Sequence, residues 1–226
     1  MPSHRHLTFF HAPNSRSAGA RILVEELEAE HDLHVLSFKA GEQRQPDYLA
    51  INPMGKVPAL RHGDTLVSEQ AAVHMYLAEL YPERGLSPAV GDPLRGAYLR
   101  WMVFYGSCFE PAVVDKSMNR DSGSPVASPY GDYDSVMCVV NAQLEQASPW
   151  WLGERYTAAD VLWGSALSWI SAFKLIPETP ALTRYLQRFG EREAVQRARA
   201  LDKELAAQQA AQHAAAQHGA MPAAGS

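Results

Sequence analysis

Cysteine is scarce in this chain: Cys108 and Cys138 are the two among 226 residues. Neither belongs to a Cys-x-x-Cys pair or to a Cys/His cluster of zinc-ligand spacing, so the sequence holds no local dithiol redox motif and no compact zinc signature. Thiols this sparse fit a reducing compartment. Basic runs are also missing. Twenty Lys and Arg face 25 Asp and Glu, a formal net charge of −5, which leaves no electrostatic footprint for nucleic acid. No apolar run is long enough to span a bilayer. The stretch after Met1 lacks the apolar segment and small-residue cleavage site of a signal peptide. His213 and His218 stand five apart, where a helical metal pair needs three or four. Repeats of solenoid period are absent. These absences point to a cytoplasmic protein without a metal, a membrane or a nucleic-acid partner.

What remains is a globular composition, 46% hydrophobic and 20% charged, in a length that buries a real core. The first ~80 residues alternate strand-like and helix-like patterns. Leu7 to His11 reads as a strand, Pro13-Asn14-Ser15 as a turn, Arg21 to Leu27 as an amphipathic helix and Leu33 to Phe38 as a second strand. Pro46 to Ile51 reads as a short helix or turn. Val57 to Leu60 and Asp64 to Val67 read as two short strands joined by a hairpin turn, and Ala71 to Leu80 as a helix with one apolar face. Two prolines and a glycine in Tyr81 to Pro88 break the pattern. From Pro93 onward strand signals vanish. Leu94 to Tyr105, Tyr133 to Leu144, Ala158 to Phe173, Ala181 to Phe189 and Glu193 to Ala207 have helical spacing, and Asp121 to Tyr130 is a loop. The expected organisation is an α/β domain over 1–81, a linker over 82–92 and an all-helical domain over 93–205. An Ala/Gln-rich tail over 206–226 begins with helix-forming composition, ends in Gly and Pro and is expected to fray in part.

Four segments carry chemistry or its support. Phe9 to Ser17 is a strand running through a Ser-rich turn into a helix, where hydroxyl and amide donors and the helix N-terminus would stabilise an anion. Asn52-Pro53-Met54-Gly55-Lys56-Val57-Pro58-Ala59-Leu60 combines a lysine with an X-Pro bond, a place where cis geometry is used. Val67-Ser68-Glu69-Gln70-Ala71 puts a carboxylate and an amide at a helix start. Tyr156-Thr157-Ala158-Ala159-Asp160-Val161 is a capping box with a hydrophobic staple. Its role is structural, with Asp160→Ala costing about 1 kcal/mol or more.

In this order and spacing the segments resemble the cytosolic glutathione transferase superfamily, particularly its bacterial members, to about residue 200. The resemblance implies a thioredoxin-like N-terminal domain that binds glutathione and an all-α C-terminal domain that completes a pocket for a hydrophobic electrophile. It implies a homodimer, with glutathione as co-substrate and no metal. By resemblance the Val57-Pro58 bond is cis and the Val57 backbone pairs with the tripeptide like an added strand. Lys56 stands beside its glycine carboxylate, and Gln43 contacts the same end. Glu69 and Gln70 hold its γ-glutamyl end, Gln70 standing where the family usually has Ser. For the sulfur the candidates are Ser15 and Asn14, with Ser17 third, and Arg16 holds the thiolate electrostatically or contacts the peptide. No cysteine lies in the first hundred residues and no tyrosine in this turn, which argues for a serine/asparagine type over the cysteine and tyrosine types. Pro13, Trp101 and Tyr105 are the candidates for the second-substrate pocket. Two activities fit: conjugation of the thiolate to an electrophile, with peroxide reduction as a side reaction, or ligand and partner binding without catalysis, since fold does not fix function.

Overall fold

The computed structural model describes residues 4–219. Strand β1 (Leu7–His11), helix α1 (Ser17–Leu27), β2 (His31–Val35), a short α2 (Pro46–Leu49), β3 (Ala59–His62), β4 (Thr65–Ser68) and α3 (Gln70–Leu80) form the first part of the chain. The sheet has strand order β2-β1-β3-β4. β1 runs parallel to β2 and antiparallel to β3, and β3 pairs antiparallel with β4.

β1 is one of the two inner strands and is buried on both faces, as its apolar run requires. Leu7 and Phe9 enter the main core with Leu23, Leu27, Leu60 and Leu77. Phe10 points the other way, into a smaller cluster with Ala12, Leu36, Tyr48 and Val57. This period-2 alternation packs the end of β1 against the loop that precedes β3, and so brings the first and second chemistry-bearing segments together.

The described residues that follow are mostly helical. α4 (Arg95–Phe104) continues through a wide π-type turn at Tyr105–Phe109 into α5 (Glu110–Ser117). α6 (Tyr133–Gln146), α7 (Ala158–Ala172), α8 (Pro180–Gly190) and α9 (Glu193–Gly219) follow. At the centre, Trp151 and Trp163 stack with ring centroids 4.6 Å apart, and Trp101 packs edge-on against both. α7 starts with the capping box: Asp160 Oδ2 accepts the Thr157 N–H at 2.9 Å, and Oδ1 accepts the Trp151 N–H at 2.6 Å and the Tyr185 hydroxyl at 3.1 Å.

Two features differ from the sequence reading. α5 had no predicted counterpart. The helix read over Glu193 to Ala207 runs on as α9 to Gly219, through the helix-forming start of the tail, an outcome that Ala and Gln favour intrinsically. It is tied to the first part of the chain by Gln209 Nε2 donating to the Leu36 carbonyl (3.1 Å) and by His213 Nε2 lying 2.8 Å from Ser37 Oγ. The last seven residues of the expected tail, 220–226, lie outside the described residues. Among the described residues no helix is long and apolar enough to cross a membrane.

Candidate active site

The turn after β1 is built from short polar residues. Asn14 takes a left-handed backbone (φ 55°), which its small amide side chain tolerates. Ser15, half-buried, has its Oγ 2.7 Å from the Ala12 carbonyl, to which it donates, and 2.7 Å from Ser17 Oγ. Ser17 is fully buried. Its Oγ accepts the Ala12 N–H at 3.1 Å and lies 2.8 Å from His11 Nδ1. No side chain makes an N-cap bond from Arg16; Ser15 instead holds the start of α1, its Oγ accepting the Ser17 N–H at 3.2 Å and its carbonyl the Ala18 N–H at 3.1 Å.

The second segment is organised by Asn52, which is buried. Its Oδ1 accepts the Met54 N–H (3.1 Å) and its Nδ2 donates to the Lys56 carbonyl (2.8 Å), which also accepts the Tyr48 hydroxyl at 2.6 Å. Gly55 is required here. It has φ 61°, and a Cβ would come 2.6 Å from the Gln43 carbonyl. Val57-Pro58 is cis. With the Lys56 carbonyl occupied, the Val57 N–H and C=O have no hydrogen-bond partner among the described residues.

The third segment carries an unusual backbone. Glu69 caps α3 at φ 71°, a sparsely populated region for a glutamate and one that concentrates at functional sites. Gln70 Oε1 accepts the Tyr105 hydroxyl at 3.0 Å, which leaves the amide nitrogen as the free end. Burial pushes the Tyr105 hydroxyl far above its usual range, so it acts as a neutral donor.

These segments line one open cleft of about 670 Å³. Asn14, Ser15, Arg16, Gln43, Lys56, Val57, Glu69 and Gln70 all border it. Lys56 and Glu69 have no ion-pair partner among the described residues. A second, mostly apolar cavity of about 300 Å³ adjoins the first, sharing Ser15, Arg16, Gln70, Glu110 and Trp169. Tyr105, Val113, Ala166, Ile170 and Leu175 form its apolar walls.

Three expected residues fall elsewhere. Ser17 lies beneath the cleft and does not line it. Trp101 is 2% exposed, locked in the tryptophan cluster because its helical spacing reflects core packing. Pro13 borders neither cavity.

Residues 5–79 match the family described as glutathione S-transferase, N-terminal domain. The chain is 28% identical over 193 residues to glutathione S-transferase GstA of Escherichia coli O157:H7, across 84% of this chain and 96% of the relative. Among solved structures it is similar to a glutathione transferase from Methylococcus capsulatus, at 28% identity and TM-score 0.73 over 87% of this chain and 98% of that one. It is also similar to a glutathione transferase homologue from Sulfitobacter with bound glutathione, at 28% identity and TM-score 0.69 over 89% and 99%. The chain has the glutathione transferase fold. These matches support the cytosolic glutathione transferase superfamily.

Within this glutathione transferase fold, the helical part supplies residues that the sequence reading passed over. Arg16 Nε donates to Glu110, the first residue of α5, and its guanidinium lies 5.4 Å from the Trp169 ring centroid. Burial lowers the guanidinium pKa, but the bond and charge of Glu110 outweigh this and raise it. Arg44, Asp115 and Arg120 also border the cleft. The one available signal was Glu110-Pro111, an acid and a proline of the kind that opens a helix.

Proposed function

We propose that the protein is a glutathione transferase of serine/asparagine type, conjugating the glutathione thiolate to a hydrophobic electrophile. The observation that carries this reading is the convergence of three separate segments, through Ser15, Lys56, Val57, Glu69 and Gln70, on one cleft with an apolar cavity beside it. Glutathione has two carboxylates, one ammonium, a peptide backbone and a thiol, and the cleft offers a complement to each. Lys56, with Arg44 and Gln43 nearby, receives the glycine carboxylate. The unpaired Val57 N–H and C=O pair with the cysteinyl backbone as an added strand. Glu69 receives the ammonium, and the open N-terminus of α3 with the Gln70 amide receives the γ-glutamyl carboxylate.

Ser15 donates its hydroxyl to the sulfur. A free thiol ionises near ~8.5 and only its thiolate is strongly nucleophilic, so each unit of lowering reflects roughly 1.4 kcal/mol of preference for the anion. The thiolate attacks the electrophilic carbon of a substrate in the apolar cavity, the C–S bond forms, and the leaving group departs with its electron pair. Hydroperoxide reduction is the accompanying side activity. Residues 1–81 serve as the glutathione domain and 93–205 as the helical domain, in a cytoplasmic homodimer. Purified protein is expected to bind immobilised glutathione and to conjugate a halonitroarene. Binding without any rate enhancement on halonitroarenes or hydroperoxides would replace the enzyme by a ligand-binding protein, and absence of binding would end the reading.

A further inference from the structure

The hydrogen bonds behind Ser15 continue into the protein. Ser15 Oγ is 2.7 Å from Ser17 Oγ, Ser17 Oγ is 2.8 Å from His11 Nδ1, and His11 Nε2 is 2.7 Å from Asp202 Oδ1. The last pair stands at ion-pair distance without hydrogen-bond alignment. His11 is fully buried on β1, and Asp202, from α9, is 15% exposed. The other Asp202 oxygen accepts the Asn14 N–H at 3.2 Å, so one carboxylate holds both the turn and the imidazole.

The surroundings of His11 are otherwise weakly charged. β1 contributes the Phe9 ring, with centroids 5.6 Å apart, and α1 contributes Ser17. β2 pairs Val35 with His11, while its own histidines, His31 and His34, lie against Phe9 and Phe10. On α9, Arg199 and Lys203 line a neighbouring cavity together with Asp202. Asp202 is the charged group in contact with the ring.

We infer that this chain of groups is the path by which bound glutathione gives up its thiol proton. The inference rests on the glutathione reading of the cleft. For the relay Ser17 donates to His11 Nδ1, and the Ser15 hydroxyl turns from the Ala12 carbonyl to donate to Ser17, both oxygens being 2.7 Å away. The S–H bond breaks as its proton passes to Ser15 Oγ; the Ser15 proton passes to Ser17 Oγ, and the Ser17 proton to His11 Nδ1. The net change is one proton moved from sulfur to Nδ1, leaving a thiolate and an imidazolium. The Asp202 carboxylate lies 2.7 Å from the far ring nitrogen, Nε2, opposite in charge to the imidazolium so formed. Every hydroxyl has then reversed: Nδ1–H donates to Ser17, Ser17 to Ser15, and Ser15 to the thiolate. The Ala12 N–H, 3.1 Å from Ser17 Oγ, and the Ser17 N–H, 3.2 Å from Ser15 Oγ, donate in both states. Both oxygens stay satisfied throughout, which a buried hydroxyl pair requires. His11, Ser17 and Asp202 act through Ser15 and are positioning and proton-accepting residues.

The test follows thiolate absorbance of glutathione bound to the full-length protein across pH, for the parent, Asp202→Asn, Ser17→Ala and the double variant. Glutathione affinity and melting temperature are measured alongside. Asp202→Asn keeps an acceptor for the Asn14 N–H and removes the charge. It is expected to raise the midpoint of thiolate formation by about one pH unit. Ser17→Ala breaks the chain and is expected to raise it at least as far, with the double variant no worse than Ser17→Ala alone. If Ser17→Ala does not fold, Asp202→Asn decides by itself. A parent-like midpoint in Asp202→Asn, with or without a lower melting temperature or weaker binding, overturns the relay and leaves the cleft reading standing. A parent protein that fails to bind glutathione overturns both.

Discussion

The hydroxyl of Ser15 borders both the cleft and the apolar cavity, and its backbone setting is fixed by the Ala12 and Ser17 contacts. Asn14 is exposed, and its structural bond is made by its backbone N–H to Asp202. A hydrogen bond to a charged group is worth roughly 1.5–3 kcal/mol. Ser15→Ala is therefore expected to lower kcat/KM for a halonitroarene by roughly 10- to 100-fold near neutral pH, with glutathione affinity little changed. Asn14→Gly keeps the left-handed backbone, has no side-chain hydrogen bond to lose among the described residues and is expected to stay within a factor of roughly two. Steady-state kinetics on the two variants reads the difference directly, and the reverse ranking would transfer the sulfur contact to the amide. Lys56 belongs to binding and not to sulfur chemistry. It is exposed and free of an ion-pair partner among the described residues, so Lys56→Met is expected to weaken glutathione binding by roughly three- to tenfold, within the modest range of screened charges. Calorimetric titration checks this; an unchanged Kd would place the glycine carboxylate elsewhere.

At the scale of elements, the start of α7 is the most constrained point in the helical part. Asp160 is fully buried and accepts from two backbone N–H groups, Trp151 and Thr157, as well as from the Tyr185 hydroxyl. Asp160→Ala strands those donors away from water, at roughly 1–3 kcal/mol for each unsatisfied group, and is expected to cost about 3 kcal/mol in denaturant unfolding. A loss below the ~1 kcal/mol of an ordinary cap would mean that water or a neighbour replaces the carboxylate. This box was legible as Thr-x-x-Asp because its partners lie within one turn. β1, β3, β4, α1 and α3 were legible for a similar reason, since their apolar periods are local. α5 was not, because α4 runs into it through a π-type turn and Pro111 sits in its first turn, where a proline opens a helix instead of breaking one. Trp101 could not be separated from a pocket residue by spacing alone, since core and pocket share one helical period. His11 and Asp202 were out of reach altogether. Their meeting depends on α9 packing back against α1, a contact between distant segments that no local pattern encodes.

Considered whole, the molecule is cross-linked between its two parts. Arg192, immediately before α9, donates through Nε and Nη2 to both oxygens of Glu26 on α1, and Tyr156 donates to the same carboxylate. Unfolding is accordingly expected to be a single transition, and buried titrating groups in either part then bear on its pH dependence. Two of them oppose each other. His74 on α3 is buried, which pulls its pKa from 6.5 down to about 4 against the pull of its bond to the Gln70 carbonyl. The unfolded chain then binds more protons than the folded one below pH 6.5, so this contribution is present above 6.5 and is lost as pH falls toward 4. Asp160 goes the other way: burial raises it from 3.8 to about 6 against its hydrogen bonds. Its contribution is present below 3.8 and is lost as pH rises through 6. Between pH 7.5 and 5, linkage gives a loss of about 2 kcal/mol from His74 and a gain of about 1 kcal/mol from Asp160. The two contributions largely offset each other in the parent. Denaturant unfolding at both pH values, on the parent and on His74→Phe and Asp160→Asn, isolates each contribution as a slope, whatever the absolute stability of each variant. Relative to the parent, His74→Phe is expected to shift the change between pH 7.5 and 5 toward a gain in stability, and Asp160→Asn to shift it toward a loss. If both variants keep the parent's slope, the acid sensitivity arises from neither group.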